Sequence, residues 1–109
     1  MLDYIFRRCD PRLMMELDIG WCHYADCDPL AVIRRYHDRI IVLHLKDFKD
    51  KAFASIGEGD APLQEAIALA KELGCPLLEN GILIDQDESD MPMLEALKIG
   101  AENAFSYTA

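Results

Sequence analysis

Three apolar segments of strand length alternate with segments of helical periodicity, and this alternation constrains the fold of the chain most. The segments are LMMELDIGW (13–21), IIVLHLKDF (40–48) and GILIDQD (81–87). Each is a nearly continuous apolar run, which is typical of strands buried on both faces of a parallel sheet. Strands that alternate with helices are joined by right-handed crossovers, so the pattern predicts an α/β fold with a parallel sheet.

Four segments around these strands are predicted to be helical: 1–9, 28–39, 62–74 and 91–107. The first looks like the end of a helix that Asp10-Pro11 closes. Asp28 is predicted to cap the second helix, with Pro29 in its first turn. Gly74 is predicted as the C-terminal cap of the third helix. The intervening residues 49–61 are predicted to form a loop.

The length of 109 residues indicates a single domain over residues 1–109. Hydrophobic residues make up 51% of the chain, which is enough for a packed core. Four helices can cover one face of a three-stranded sheet, whereas the other face, apolar in Met14, Val42 and Leu83, needs a partner. We therefore expect a homo-oligomer or assembly with a partner chain.

The charge and the termini exclude several classes of partner. Twenty acidic and eleven basic residues give a formal net charge of −9, which repels phosphate backbones, so no nucleic-acid partner is expected. No apolar run reaches the roughly 18 residues of a membrane span, so no membrane partner is expected either. The N-terminal MLDYIFRRCD is too short and too charged to be a secretory signal.

The four cysteines lack the paired spacing of a zinc ribbon, so they are interpreted as reduced thiols of a cytoplasmic protein. Cys22, His23 and Cys27 lie close in sequence and could hold a metal ion. No fourth ligand stands at a recognisable spacing from them.

Each predicted strand carries an acidic residue or a histidine near its C-terminal end: Asp18, then His44 and Asp47, then Asp85 and Asp87. The carboxyl ends of neighbouring parallel strands meet at one edge of a sheet, where α/β proteins build their sites. Histidine and carboxylates suit a divalent cation such as Mn, Mg, Co or Zn. The recurrence on three successive strands therefore predicts a shared metal site.

Each of these residues also has an ordinary structural interpretation. The aspartates could cap turns, His44 could be a hydrogen-bonded core residue, and Lys46 with Asp47 could be a solvated pair at a strand end. The IGEGD segment (56–60) offers glycines before a helix, but Glu58 would repel a phosphate, so a turn is predicted there.

The order of ELDIGW, DPLAVIRRYHDRIIVLHLKDFK, IGEG and IDQDES resembles the sugar phosphate isomerase/epimerase family, whose members are xylose-isomerase-like (β/α)8 barrels. The resemblance covers about residues 3–105. Its most specific part is the His-x-Lys-Asp strand, followed by the Gly-Glu-Gly loop. It implies that the chain supplies the last three strands of a TIM barrel, since a full barrel needs about 250 residues.

The resemblance also implies functions for individual residues. Asp18, His44 and Asp85 match metal ligands of the sixth, seventh and eighth strands, and Asp85 would also be the catalytic acid/base. Trp21 stands where many members have a substrate-contacting histidine, and Lys46 and Asp47 line the same substrate-binding rim.

Two departures from the family pattern affect the predicted site. Asp85 replaces a glutamate, and the shorter side chain is expected to place its carboxylate about 1.5 Å short. Glu79 is the alternative counterpart of that glutamate. The fourth ligand of the family, a glutamate from an earlier strand, has no counterpart in this chain.

The implied activity is that of a divalent-metal-dependent sugar or sugar-phosphate isomerase/epimerase, in which a proton moves next to a carbonyl through an enediolate. Of the two carboxylates that this chemistry uses, the chain keeps at most one. A non-catalytic barrel fragment, or a split-barrel subunit that assembles with another chain, is the alternative. An abasic-site endonuclease would use a similar metal site, but the charge of −9 and the lack of a basic groove disfavour it.

Overall fold

The computed structural model describes residues 1–108, which contain five helices and five strands. The helices are α1 (Leu2–Arg8), α2 (Ile19–Tyr24), α3 (Pro29–Tyr36), α4 (Leu63–Glu72) and α5 (Met93–Thr108). The strands are β1 (Met15–Asp18), β2 (Ile40–Leu45), β3 (Asp47–Lys49), β4 (Ala52–Ala54) and β5 (Ile82–Ile84). Over the residues described, no helix is both long enough and apolar enough to cross a membrane.

A parallel sheet forms the centre of the fold, with strand order β1-β2-β5. Asp18 on β1 is the register partner of His44 on β2, and His44 is in turn the register partner of Leu83 on β5. The prediction of an α/β fold with a parallel sheet is confirmed. Within residues 1–108 the sheet is open rather than closed, which is consistent with a partial TIM barrel.

The two faces of the sheet differ because successive side chains point to opposite sides. Leu17, Leu43 and Leu45 point to the face that packs against α3 and α4, and this face forms the hydrophobic core. On the opposite face, Leu83 is 43% exposed whereas Val42 is 5% exposed. The prediction of an uncovered apolar face therefore holds at β5 but not at the centre of the sheet.

Both long strands end earlier than predicted. Strand β1 stops at Asp18, because the side chain of Asp18 caps α2, its Oδ1 accepting from the Trp21 N–H at 2.8 Å. Residues 19–21, predicted as strand, are helical for this reason. Strand β2 stops at Leu45, and after Lys46 the chain leaves the parallel sheet.

A β-hairpin of β3 and β4 lies where a loop was mostly predicted. Its two-residue turn is Asp50-Lys51, and both residues have positive φ angles of 50° and 66°. Such a turn has the geometry of type I′, which Asn-Gly or Asp-Gly usually signals. Residues 50–51 are neither Asn-Gly nor Asp-Gly, so the turn carries no dipeptide signal for the hairpin.

The predicted caps are confirmed. Asp28 accepts from the Leu30 N–H at 2.9 Å at the start of α3, and Pro29 is the first residue of that helix. Gly74 follows the end of α4 with a φ of +69°, a conformation that glycine adopts without a Cβ penalty.

Candidate metal centre

Asp18, His44 and Asp85 lie together at the C-terminal ends of β1, β2 and β5. Each offers one ligand atom, and these three atoms lie within 4.8 Å of one another. The register explains the convergence: Asp18 pairs with His44, and Asp85 follows Leu83 by two positions on the same face. The N–H of Asp85 still donates to the Leu45 carbonyl at 2.9 Å, which fixes its position beside β2.

The donor set of this cluster fits a divalent cation. His44 Nδ1 lies 3.5 Å from Asp85 Oδ2 and 3.9 Å from Asp18 Oδ2. One imidazole nitrogen and two carboxylate oxygens suit a borderline or hard divalent ion, and three protein ligands leave coordination positions for a substrate. The cluster is a possible metal site, and the functions of the three residues as ligands stay predictions.

Asp18 both caps α2 and belongs to the cluster, whereas on the sequence alone these two roles were alternatives. Its Oδ1 caps α2 through the Trp21 N–H, while its Oδ2 faces His44 and Lys46. The cap fixes the orientation of the carboxylate, so the second oxygen is held towards the cluster.

Lys46 is buried on the same face and pairs with three carboxylates. Its Nζ lies 2.7 Å from Asp87 Oδ2, 3.0 Å from Asp85 Oδ2 and 3.2 Å from Asp18 Oδ2. Burial disfavours the ammonium, but hydrogen bonds to Asp87, Asp85 and Asp18 outweigh it and raise the pKa of Lys46 above its usual range. In return, the hydrogen bond from Lys46 lowers the pKa of Asp85.

Trp21 borders the cluster from α2. Trp21 is 41% exposed, and its ring packs against Tyr24, Phe48 and Phe53, with ring centroids 5.0–5.8 Å apart. The Nζ of Lys46 lies 5.3 Å from the Trp21 ring centroid, within the range of a cation–π contact. Substrate contacts by Trp21 and Lys46 stay predictions.

Gly20 lets α2 approach the end of β2 closely. A Cβ added at Gly20 would lie 2.6 Å from the Cβ of Lys46 and would also overlap the Lys46 carbonyl. Only glycine permits this approach, which brings the capped start of α2 next to Lys46.

Asp47 organises the loop that follows the hairpin. It is 2% exposed, and its carboxylate accepts from the backbone N–H groups of Phe48, Gly57, Gly59 and Ala61 at 3.0–3.1 Å. Burial raises the pKa of Asp47, and the four N–H donors partly oppose that shift. Both oxygens are engaged by the backbone, and a substrate contact by Asp47 stays a prediction.

The two glycines of the IGEGD segment, Gly57 and Gly59, thus donate their N–H groups to Asp47 within the protein. Glu58 N–H donates to the Ser55 carbonyl at 2.9 Å, so the segment forms the turn that was predicted.

Two acidic residues of the site were not identified as such from the sequence. Glu16 precedes Asp18 by two positions and shares its face of β1, and its Oε2 lies 3.6 Å from His44 Nε2. Asp87 was noted as a strand-end acid, but its ion pair with Lys46 was not foreseen. The Glu-x-Asp spacing in a strand was the available signal for Glu16, since residues two apart share a face.

Two other candidates lie away from the cluster. Glu79 precedes β5, at the opposite end of that strand from Asp85, where it lines a groove beside α5. His23 pairs with Asp60, Nε2 to Oδ1 at 2.9 Å. The metal-type cluster found among residues 1–108 does not include Cys22, His23 or Cys27.

Among solved structures, the chain is similar to a sugar phosphate isomerase/epimerase from Parabacteroides distasonis ATCC 8503. The TM-score is 0.74 and the sequence identity 22%, and the match covers 95% of this chain and 33% of that chain. The chain thus spans about a third of the length of the structure it matches. No protein-family model and no curated protein matches the chain. The expected resemblance is confirmed at the level of the fold.

Proposed function

We propose that this chain carries the metal-binding edge of a divalent-metal-dependent sugar or sugar-phosphate isomerase/epimerase. The observation that supports this most is the convergence of Asp18, His44 and Asp85, whose ligand atoms lie within 4.8 Å of one another at the carboxyl ends of three parallel strands. This is the edge at which barrel enzymes build their sites, and the fold is similar to that of a sugar phosphate isomerase/epimerase.

The ion is proposed to be Mn, Mg, Co or Zn, held by Asp18, His44 and Asp85. When bound, it would polarise a carbonyl or hydroxyl oxygen of the sugar.

Asp85 is the proposed catalytic base. It takes a proton from the carbon next to the carbonyl, the electron pair of that C–H bond forms the C=C bond of an enediolate, and negative charge develops on the carbonyl oxygen. Return of the proton to the neighbouring carbon, with transfer of the hydroxyl proton to the former carbonyl oxygen, gives isomerisation. Return of the proton to the opposite face of the same carbon, with the carbonyl re-formed, gives epimerisation. The hydrogen bond from Lys46 lowers the pKa of Asp85 and so keeps this carboxylate ionised, as a base must be before it takes a proton.

Three residues at the rim are proposed to form the sugar site, Trp21 and Lys46 by direct contact and Asp47 indirectly. The exposed part of Trp21 would pack against the apolar side of the substrate, and the Lys46 ammonium would exchange one of its three carboxylate contacts for an oxygen of the sugar. Asp47 would act through the loop at residues 57–61, whose backbone it holds.

The chemistry needs a second carboxylate to complete the proton transfer, and this group is proposed to come from another part of the barrel. The chain spans about a third of the similar structure, which leaves the earlier strands to supply that group. The proposed substrate is a small sugar or sugar phosphate, and the proposed compartment is the cytoplasm, where the four free thiols would stay reduced.

Metal content after dialysis tests this proposal without requiring turnover. We expect about one Mn²⁺ or Zn²⁺ per chain in the wild-type protein and none in His44→Ala.

Deuterium uptake in D₂O tests the chemistry, because the proposed base exchanges the hydrogen next to the carbonyl of aldose and ketose phosphates. Asp85→Asn is expected to lower the rate of uptake at least ~100-fold. Absence of metal from the wild-type protein would refute the proposal.

A split-barrel subunit is the second candidate function, and the edge of β5 favours it. Residues 81 and 85 hydrogen-bond to β2. In a parallel ladder successive residues direct their backbone groups to opposite sides, so the N–H and C=O groups of Ile82 and Ile84 point away from β2. A groove of about 530 Å³ lies beside β5, and its mostly apolar lining includes residues of β5 and α5. A monomer by native mass spectrometry, with little binding of a hydrophobic dye, would contradict this candidate.

A further inference from the structure

The two ring nitrogens of His44 face different carboxylates. Nδ1 faces the metal cluster, 3.5 Å from Asp85 Oδ2 and 3.9 Å from Asp18 Oδ2. Nε2 faces Glu16, whose Oε2 lies 3.6 Å away. Glu16 therefore stands on the far side of the imidazole from the cluster.

The register of β1 and β2 produces this arrangement. Glu16 pairs with Val42, and Asp18 pairs with His44, so Glu16 is the diagonal neighbour of His44 on the same face of the sheet. Diagonal neighbours are within reach of long side chains, and a glutamate can span the distance to an imidazole. The contact is thus built into the pairing of two strands.

A histidine binds a metal ion through an unprotonated nitrogen, and the other nitrogen then carries the proton. Metal-ligating histidines commonly donate that proton to a carboxylate, which fixes the tautomer and the orientation of the ring. Around His44, the cluster aspartates would attract a proton to Nδ1, which is the nitrogen that must stay free. A carboxylate at Nε2 opposes that attraction.

We propose that Glu16 is a positioning residue: its carboxylate, 3.6 Å from Nε2, moves closer to accept the Nε2–H of His44 when an ion is bound and directs Nδ1 at Asp18 and Asp85. This inference rests on the proposed metal-dependent function and adds a residue that the family resemblance does not supply. Glu16 would orient His44 rather than bind the ion, because Glu16 is not one of the residues whose ligand atoms lie within 4.8 Å of one another.

The exposure of Glu16 allows its proposed role to be tested by mutation. The side chain of Glu16 is 66% exposed, so its truncation leaves the core intact. Glu72 at the end of α4 is also exposed and carries the same charge on another element, which makes Glu72→Ala a matched control for Glu16→Ala.

Titration of the metal-free proteins with Co²⁺ measures the effect on affinity. We expect Glu16→Ala to weaken Co²⁺ binding 10- to 100-fold, the usual range for loss of such a partner, and Glu72→Ala to stay within about twofold of wild type. Equal losses in the two variants would overturn the proposal, because charge alone would then explain them.

The tautomer of His44 can be measured without a metal ion and provides a second test. In long-range ¹H–¹⁵N spectra of the metal-free protein at alkaline pH, wild type should carry the proton on Nε2, and Glu16→Ala should shift it towards Nδ1. The same tautomer in both proteins would overturn the proposal. A wild-type protein that binds no Co²⁺ would refute the proposed function, while the spectra would still decide on Glu16.

Discussion

Lys46 is the residue that balances the charge of the candidate metal centre. Its ammonium pairs with the same Oδ2 atoms of Asp18 and Asp85 that face His44 Nδ1. The lysine and a metal ion would therefore share, or compete for, these two oxygens. The buried ammonium stabilises the carboxylates in the absence of an ion and lowers their attraction for one.

Replacement of Lys46 by methionine separates these two effects. Lys46→Met should raise Mn²⁺ affinity by about tenfold, or about 1.4 kcal/mol, because the competing charge is removed. The metal-free variant should be less stable by about 1–3 kcal/mol, because three carboxylates lose their common partner. Calorimetric titration and urea unfolding measure the two quantities, with the exposed Lys71→Met as control. Weaker Mn²⁺ binding by Lys46→Met would contradict this interpretation.

The pKa of Asp85 predicts how acid affects stability. Its pKa is lowered in the folded protein, mainly by the hydrogen bond from Lys46. Such a carboxyl stabilises the fold above its unfolded pKa of about 4 and loses that contribution as the pH falls through the folded pKa. As the pH falls below about 4, the free energy of unfolding should therefore decrease less in Asp85→Asn than in wild type. Parallel curves of unfolding free energy against pH would show that the ion pair contributes nothing.

At the scale of elements, polar side chains at the strand ends hold the segments that surround the site. Asp18 caps α2, and Asp47 binds the loop at residues 57–61 through three of its four N–H contacts. Gly20 allows α2 to lie directly against Lys46. The strand ends thus fix both the candidate ligands and the segments beside them.

Addition of a methyl group at Gly20 tests this close approach. Gly20→Ala should destabilise the fold by about 2–3 kcal/mol, because its Cβ would overlap Lys46 and α2 would have to move. Gly74→Ala should cost only about 1 kcal/mol, because a Cβ there meets nothing within 4 Å and only the positive φ is unfavourable. Chemical denaturation measures both, and equal costs would show that the approach of α2 is not tight.

Locally encoded features were the ones that the sequence predicted. The caps at Asp28 and Gly74 depend on a few neighbouring residues, and the alternation of helices with parallel strands follows from apolar patterning. The hairpin at Asp50-Lys51 was missed because Lys51 stands at the turn position that glycine usually occupies. The early end of β1 was missed because a side-chain cap at Asp18 overrides the apolar run that continues past it.

The candidate site was predictable in part for a similar reason. Asp18, His44 and Asp85 stand at strand ends, so the topology alone brings them to one edge. The contact of Glu16 with His44 depends on the register between β1 and β2, which the sequence does not specify. The burial of Asp47 depends on a loop that folds back over it, which no strand pattern reveals.

At the scale of the whole molecule, the chain has one well-packed helical face and an incompletely covered strand. In β5, Leu83 is 43% and Ile84 36% exposed, whereas the central residues Leu43 and Leu45 are fully buried. The match to about a third of a longer isomerase/epimerase structure agrees with this asymmetry. Additional strands would cover β5 and would bring further side chains to the edge that holds the candidate metal centre.

Anomalous X-ray scattering from crystals grown with Zn²⁺ would locate an ion at the candidate metal centre. We predict one strong anomalous peak in contact with Asp18, His44 Nδ1 and Asp85, and its disappearance in crystals of His44→Ala grown in the same way. A wild-type crystal with no peak at these three side chains, or with zinc bound only elsewhere, would contradict the proposed metal centre.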